Sequence, residues 1–277
     1  MISITVLVEN TARGPGILGE HGLAWWIDTG AHRVLFDTGQ GMALRPNAAR
    51  LGIDLARADA IILSHGHFDH VGGLEAALGA APRASLFLHP RAVEAKFTGT
   101  DPAAARRISI PWVETAGFQG GSRRVVATPA PSEAAPGVWT TGEIPRANDF
   151  EDTGGPFFLD GALTRPDPLL DDQAVYLPTP KGVIIICGCA HAGVVNTLAH
   201  IARLTGGAPV RALFGGLHLE RASPRRMEET VRALQTYRPC QMGFCHCTGL
   251  GAIRRLWGEF PDACVPIHAG RRLEFEV

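Results

Sequence analysis

The chain has 277 residues and a mass of 29.5 kDa, with 45% hydrophobic and 19% charged residues, which is enough for a sizeable core in one large α/β unit or two smaller domains. A formal charge of −1 excludes the basic excess of a general nucleic-acid binder, so no nucleic-acid partner is expected. No apolar run approaches the roughly 18 residues of a membrane helix, so no membrane partner is expected either.

The opening MISITVLVEN lacks a basic leader and alternates Ile2, Ile4, Val6 and Val8, the pattern of a strand rather than a signal peptide. GLAWWID (22–28) and RVLFDTG (33–39) then predict a hairpin. A helical stretch follows around Met42–Leu51, interrupted by Pro46. AIILSHGHFDHVGGL (60–74) reads as a buried strand, a histidine-rich loop and a helix, and ASLFLHP (84–90) as another strand. Residues 129–180 hold nine of the twenty prolines and little periodicity, so a functional loop or lid is expected there.

Regular spacing returns with a strand at 181–190, a helix over Val194–Leu204 and a strand at 210–219. A second helix spans 223–237, with Ser223 as N-cap and Pro224 in its first turn. A strand at 239–249 ending in a loop, a short helix at Leu250–Trp257 and closing strands complete the chain. No linker separates the two similar halves, so 1–277 is expected to form one domain. All six cysteines (187, 189, 240, 245, 247 and 264) fall in the last third, too sparse for a disulfide scaffold. Reduced thiols and a cytoplasmic location are therefore expected.

The strongest chemical signal is Ser64-His65-Gly66-His67-Phe68-Asp69-His70, which places three imidazoles and a carboxylate directly after an apolar strand. Imidazole nitrogen and carboxylate oxygen are ligands that Zn²⁺ takes at about 2.0–2.2 Å. A loop can turn His65 and His67 toward one ion while Asp69 and His70 face a second, and Gly66 allows the tight path.

HxHxDH after a strand is the signature of the metallo-β-lactamase superfamily, and the chain resembles that family. The resemblance implies an α/β fold, a four-layer αββα sandwich of two ββα halves with one or two metals at one edge. Two Zn²⁺ ions are expected, with Mn²⁺ or Fe²⁺ as alternatives. Two departures stand out: the usual third-motif histidine is missing near 127–134, and Gly188-Cys189 stands where an aspartate is usual. EHGLAWWID, LFDTG, SHGHFDHVGGL, TGEIPR, DDQAV, GCAHAGVVNTL, GGLHL and HCTG together resemble one branch, the dihydropterin–ribofuranosyl-aminobenzene-phosphate synthase-like proteins.

Later ligands are expected from His191 and His246, each after a predicted strand, beside His65, His67, Asp69 and His70. His218 is a candidate general acid or substrate contact, Asp69 a candidate proton acceptor, and Cys189 and His21 are additional ligand or substrate contacts. By strand alternation Cys245 and Cys247 should point away from whatever His246 faces. His89 is a weaker candidate, and His32, His200 and His268 are read as surface or packing residues. Trp25, Trp26, Phe157 and Phe158 are candidates for one wall of the site. The pairs Arg106-Arg107, Arg123-Arg124 and Arg225-Arg226 are read as solvated faces, one of which could reach a phosphate.

The expected function is metal-dependent hydrolysis of a small ester, phosphoester or lactone, with a small-molecule substrate, phosphorylated or not, as the partner. A pterin-linked transferase and a metal-binding protein without turnover are the alternatives. Asp69 beside an open metal position favours catalysis over the last.

Overall fold

The structure, a computed structural model, describes residues 1–110 and 124–276. The first half runs β1 (Ile2–Val8), β2 (Ala24–Asp28), β3 (Arg33–Phe36), α1 (Leu44–Arg50), β4 (Ala60–Ile62), α2 (Phe68–Val71), α3 (Leu74–Ala80), β5 (Ser85–Leu88), β6 (Phe97–Thr98), β7 (Arg106–Arg107) and β8 (Val125–Ala127). The second runs β9 (Ser132–Ala135), β10 (Val138–Thr140), β11 (Phe157–Phe158), β12 (Ala174–Thr179), β13 (Gly182–Cys187), α4 (Val194–Leu204), β14 (Val210–Gly215), α5 (Pro224–Tyr237), β15 (Gln241–Phe244), α6 (Leu250–Glu259) and β16 (Arg272–Phe275). Seven strands join in the order β16-β1-β2-β3-β4-β5-β8 and six in the order β15-β14-β13-β12-β10-β9, with a small β11-β6-β7 sheet besides.

Side-chain alternation along these strands builds the expected four layers. Ile4, Val6, Trp25, Phe36 and Ile62 of the first sheet meet Val175, Ile184, Ile186 and Phe214 of the second. Leu7, Trp26, Leu35 and Ile61, on the opposite face of the first sheet, pack on Leu44, Ala48, Leu74 and Ala77 of α1 and α3. Tyr176, Ile185 and Leu213 do the same against Leu198, Val231, Leu234 and Leu256 of α4, α5 and α6. The tryptophans thus serve packing: Trp25 enters the inter-sheet core and Trp26 the helix-facing one, so neither forms a wall of the site.

Pro46 sits in the first turn of α1, where its missing N–H has no intrahelical partner to lose. The α5 cap is as expected, with Ser223 Oγ accepting from Arg226 N at 3.1 Å. Residues 129–180 are less loop-like than their composition suggests. They contain the β9–β10 hairpin and β12, a central strand paired with both β10 and β13. Only the stretch between β10 and β12 is largely irregular.

Strand direction decides where the chemistry collects. β3, β4, β5 and β8 are parallel to one another, as are β13, β14 and β15. Their C-terminal ends open onto Asp37, Ser64–His70, Gly188–His191, Gly216–His218 and Cys245–His246 at one rim. β2 and β12 run antiparallel to their neighbours and so begin at that rim, delivering His21 and Asp171-Asp172 to it. Gln173 ties the sheets there: its Nε2 donates to Leu63 O at 2.8 Å and its N to Ser64 O at 3.0 Å.

A buried ion cluster anchors the histidine loop. Lys96 Nζ donates to Asp167 Oδ2 at 2.8 Å and to Asp171 Oδ1 at 2.9 Å, with all three side chains buried. Asp171 Oδ2 then accepts from Gly66 N at 2.8 Å, within the HGHFDH run. Gly66 is needed because a Cβ there would collide with Ala92 O. Burial works against the Lys96 ammonium, but the two carboxylates outweigh it and hold its pKa above the ordinary lysine value. Lys96→Met should therefore leave two facing buried carboxylates and cost about 3–5 kcal/mol of stability in denaturant unfolding. A loss below about 1 kcal/mol, the scale of a surface pair, would refute the anchoring role.

Candidate metal centre

Seven of the eleven histidines gather at the rim around Cys189. His65, His67 and His191 form one group, their ring centroids 4.5 to 4.9 Å apart. His70, Asp69 and His246 form the other, with Asp69 Oδ2 3.1 Å from His246 Nε2 and 3.8 Å from His70 Nε2. Cys189 Sγ belongs to both, within 4.8 Å of the ligand nitrogens of His65 and His191 and likewise of His70 and His246. His21, exposed, reaches Asp69 Oδ2 at 3.4 Å and widens the second group. His218 lies beside the first group, its ring centroid 4.3 Å from that of His191.

The outer ring nitrogens fix which atom faces the centre. His191 Nδ1 donates to Thr153 O at 2.7 Å, His70 Nδ1 to Asp37 Oδ2 at 2.7 Å and His246 Nδ1 to Asn10 Oδ1 at 2.8 Å. Ser64 Oγ gives its proton to Asp37 Oδ2 at 2.7 Å and so accepts from His65 Nδ1 at 2.9 Å. With Nδ1 protonated, each Nε2 carries a lone pair into the centre, the arrangement that metal-ligating histidines show. The Nε2 atoms of His65, His67 and His191 are buried with no hydrogen-bond partner among the described residues. His70 Nε2 and His246 Nε2 stand only 3.3 Å apart. Buried acceptors facing one another need a proton or a cation between them. The donor chemistry, imidazole with one carboxylate and one thiol, fits a borderline divalent cation.

Electrostatics agree with this geometry. Burial depresses the His65 and His191 imidazolium forms well below the ordinary value, and the neighbouring histidines add to the effect. Burial also opposes charge on His70, but Asp37 and Asp69 outweigh it and push its pKa up to about 9. Burial disfavours the Asp69 carboxylate too, yet His70, His21 and His246 hold its pKa well below the usual range.

The backbone strains at the same places. Asp37, Ala190, His218 and His246, each just beyond a strand end, have φ between 46° and 61°, the left-handed region that non-glycine residues rarely occupy. This overturns the expectation for Cys247. The chain leaves β15 at Phe244, and the turn at His246–Thr248 ends strand alternation. Cys245 enters the inter-sheet core, but Cys247 turns back to stand with Cys189 and His218.

Other expected residues are sorted as plainly. No histidine from 127–134 is needed, because His191 completes the group with His65 and His67. Phe157 lies 4.8 Å from the His67 ring and 5.2 Å from His191 and so lines the site, whereas Phe158 pairs with Phe97 in the small sheet. His89 caps a short turn by accepting from Arg91 N at 3.2 Å and joins neither group. Arg123 lies outside the described residues. Arg106 and Arg107 are exposed, and Arg225 is exposed and paired with Asp149. Arg226 contradicts its reading as a solvated face: it is 1% exposed.

The Metallo-beta-lactamase superfamily model matches residues 18–211. The chain belongs to that superfamily. Within the metallo-β-lactamase superfamily it falls in the branch expected from its motifs. It is 31% identical to the 7,8-dihydropterin-6-methyl-4-(beta-D-ribofuranosyl)-aminobenzene-5'-phosphate synthase of Methanocaldococcus jannaschii, over 92% of this chain and 90% of that protein. A solved structure described as a metal-dependent hydrolase of the beta-lactamase superfamily superposes with a TM-score of 0.84 at 28% identity, covering 100% of both chains. A diphosphatase of the PhnP family shares the fold at a TM-score of 0.55 and 16% identity, covering 100% of this chain and 99% of that one.

Asp37 orients both His65, through Ser64, and His70, so Asp37→Asn should weaken metal affinity about 10–100-fold in a competition titration with a chromogenic chelator. Because His70 carries a proton up to about pH 9 in the metal-free protein, cation binding at pH 7 should release that proton and weaken as the pH falls. The same proton acts oppositely on the metal-free fold. With the pKa raised from 6.5 to about 9, its stabilising effect is complete below pH 6.5 and is lost as the pH rises through 9. Thermal unfolding in chelator at pH 6 and pH 9 checks that sign.

Proposed function

We propose that the protein is a metal-dependent hydrolase that uses two divalent cations, zinc the best match, against a small ester, phosphoester or lactone. The observation that carries this reading is the pair of donor groups meeting at Cys189, one made of His65, His67 and His191 and the other of Asp69, His70 and His246. Bound there, the cations would polarise a substrate oxygen and supply an activated water near neutral pH. This chain's own residues do the rest. Asp69 keeps 20% side-chain exposure, so its carboxylate, held ionised by its neighbours, can accept a hydrogen bond from a water at Oδ2 and orient it. His218 has a buried Nδ1 with no hydrogen-bond partner among the described residues. Burial works against its imidazolium, but Cys247 and Asp69 outweigh that and raise its pKa, so His218 can deliver a proton to a leaving group. Phe157, packed against the rings of His67, His191 and His218, excludes bulk water from that face.

A pterin-linked transferase is the second reading, favoured by the 31% identity to a protein named as a dihydropterin-type synthase. The same centre would then hold and polarise the substrate whose leaving group departs.

Metal analysis followed by chelation and restoration separates the readings. Chelation should abolish activity toward chromogenic esters, lactones or phosphodiesters, and Zn²⁺ or Mn²⁺ should restore it. Turnover of pterin substrates with poor ester hydrolysis would favour the transferase. His67→Ala and Asp69→Ala should lose metal and activity together, and normal metal stoichiometry in both variants would show the ligand assignment to be wrong.

A further inference from the structure

The segment between Asn148 and Gly154 is strapped across the rim, and each residue used for this has a distinct partner. Glu151 caps α4 from outside, accepting from Val195 N at 2.8 Å and Asn196 N at 2.9 Å. Thr153 O holds His191 Nδ1. Gly154, with φ of 85°, packs so tightly on His218 that a Cβ would collide with the imidazole. Asp152 accepts from Arg226 Nη1 through both its carbonyl, at 3.1 Å, and its Oδ1, at 2.6 Å.

Arg226 is the anomaly in this arrangement. Its side chain is 1% exposed, yet among the described residues Nε and Nη2 have no hydrogen-bond partner. Those two nitrogens form the guanidinium edge that grips two oxygens of one oxyanion side by side. A buried guanidinium with its fork unpaired is costly in a purely structural residue. Its one carboxylate partner, Asp152, is a poor permanent mate, because that side chain is 73% exposed. A second cation, Arg146, feels the Arg226 charge and also the carboxylates of Asp172, Glu151 and Asp152. An anion that competes with these resident carboxylates must carry more charge than one of them, as a phosphate dianion does. Resting on the hydrolytic or transfer reading of the metal centre, we infer that Arg226 is the recognition residue for a phosphate monoester group on the substrate, and that Asp152 balances its charge until the substrate arrives. The phosphate would take the Nε–Nη2 edge and compete with Asp152, on Nη1, for the guanidinium charge. The body of the substrate would then pass Gly154 and His218 toward His191.

The test uses the full-length protein as purified, inorganic phosphate as the probe, and isothermal titration calorimetry with metal content measured for each variant. Asp152→Ala removes the competing carboxylate from an exposed position and should tighten phosphate binding by about threefold or more. Arg226→Lys, which keeps the charge but loses the fork, and Arg226→Gln should each weaken it by about tenfold or more. Circular dichroism and thermal melts verify that the Arg226 variants fold. Unchanged, weaker or undetectable phosphate binding in Asp152→Ala would overturn the proposal whether or not the Arg226 variants fold, because a merely structural Arg226 binds no phosphate with or without that competing charge. Wild-type affinity in folded Arg226→Gln would overturn it as well. The metal measurements keep the two ideas apart. A protein without bound metal but with the expected phosphate responses would defeat the reading of the centre and leave the phosphate site standing, whereas full metal content without those responses would do the reverse.

Discussion

The fold's central constraint is that several imidazole lone pairs are forced into one buried volume. Each ring is locked by an acceptor behind it, namely Ser64 for His65, Asp37 for His70, Thr153 for His191 and Asn10 for His246. Locked rings cannot relax by turning a donor toward a neighbour, so the inward nitrogens repel until a cation or proton is shared among them. Left to itself, the protein places a proton at His70, between the carboxylates of Asp37 and Asp69. A site of this kind has its geometry fixed in advance, at a cost to the stability of the metal-free fold.

The sandwich supplies the convergence directly, because parallel strands end together. β3 and β4 in one sheet and β13, β14 and β15 in the other release their chains at the same rim, and the two inner faces are already fused by the inter-sheet core. The aim of each side chain is set by the residues just past its strand. A left-handed residue there turns the chain sharply enough to swing a side chain inward within one or two positions. Lys96, Asp171 and Gly66 then brace the histidine loop, and Glu151, Thr153 and Gly154 brace the opposite bank. Ordering these loops costs entropy, which the energy of their buried polar contacts offsets.

Much of this is legible in the chain itself, for identifiable reasons. The HGHFDH run and the histidines of GCAHAG and FCHCTG lie beyond apolar strands, and a strand leading into ligand-type residues is a local signal. The capped helix at 224–237 and the apolar run of β13 are local too. The features that sequence does not reveal depend on tertiary placement. Asp37 lies in LFDTG, a motif that shows a turn but not that its carboxylate will hold two histidines from another loop. Asn10 and Thr153 act through a single contact over long sequence separations. Cys247 escapes the alternation argument because alternation holds only while a strand lasts, and Trp25 and Trp26 miss the site because a central strand buries both of its faces. Arg226 shares its helix turn with the exposed Arg225, and only the position of the strap distinguishes them.

Cys189 carries the chemical individuality of the centre. It stands where the superfamily's motif leads one to expect a carboxylate, and its sulfur lies at the meeting point of both donor groups. Burial holds its thiol pKa well above the ordinary value, while the adjacent Cys247, despite burial, is held low by Cys189 and His218. A cation that takes the Cys189 sulfur would therefore have to displace a tightly held proton. A soft donor at the shared position would discriminate among cations, favouring zinc or ferrous iron over manganese, which prefers an all-oxygen and nitrogen shell. With sulfur in that place, Asp69 is the carboxylate of the two donor groups, held ionised by the histidines around it.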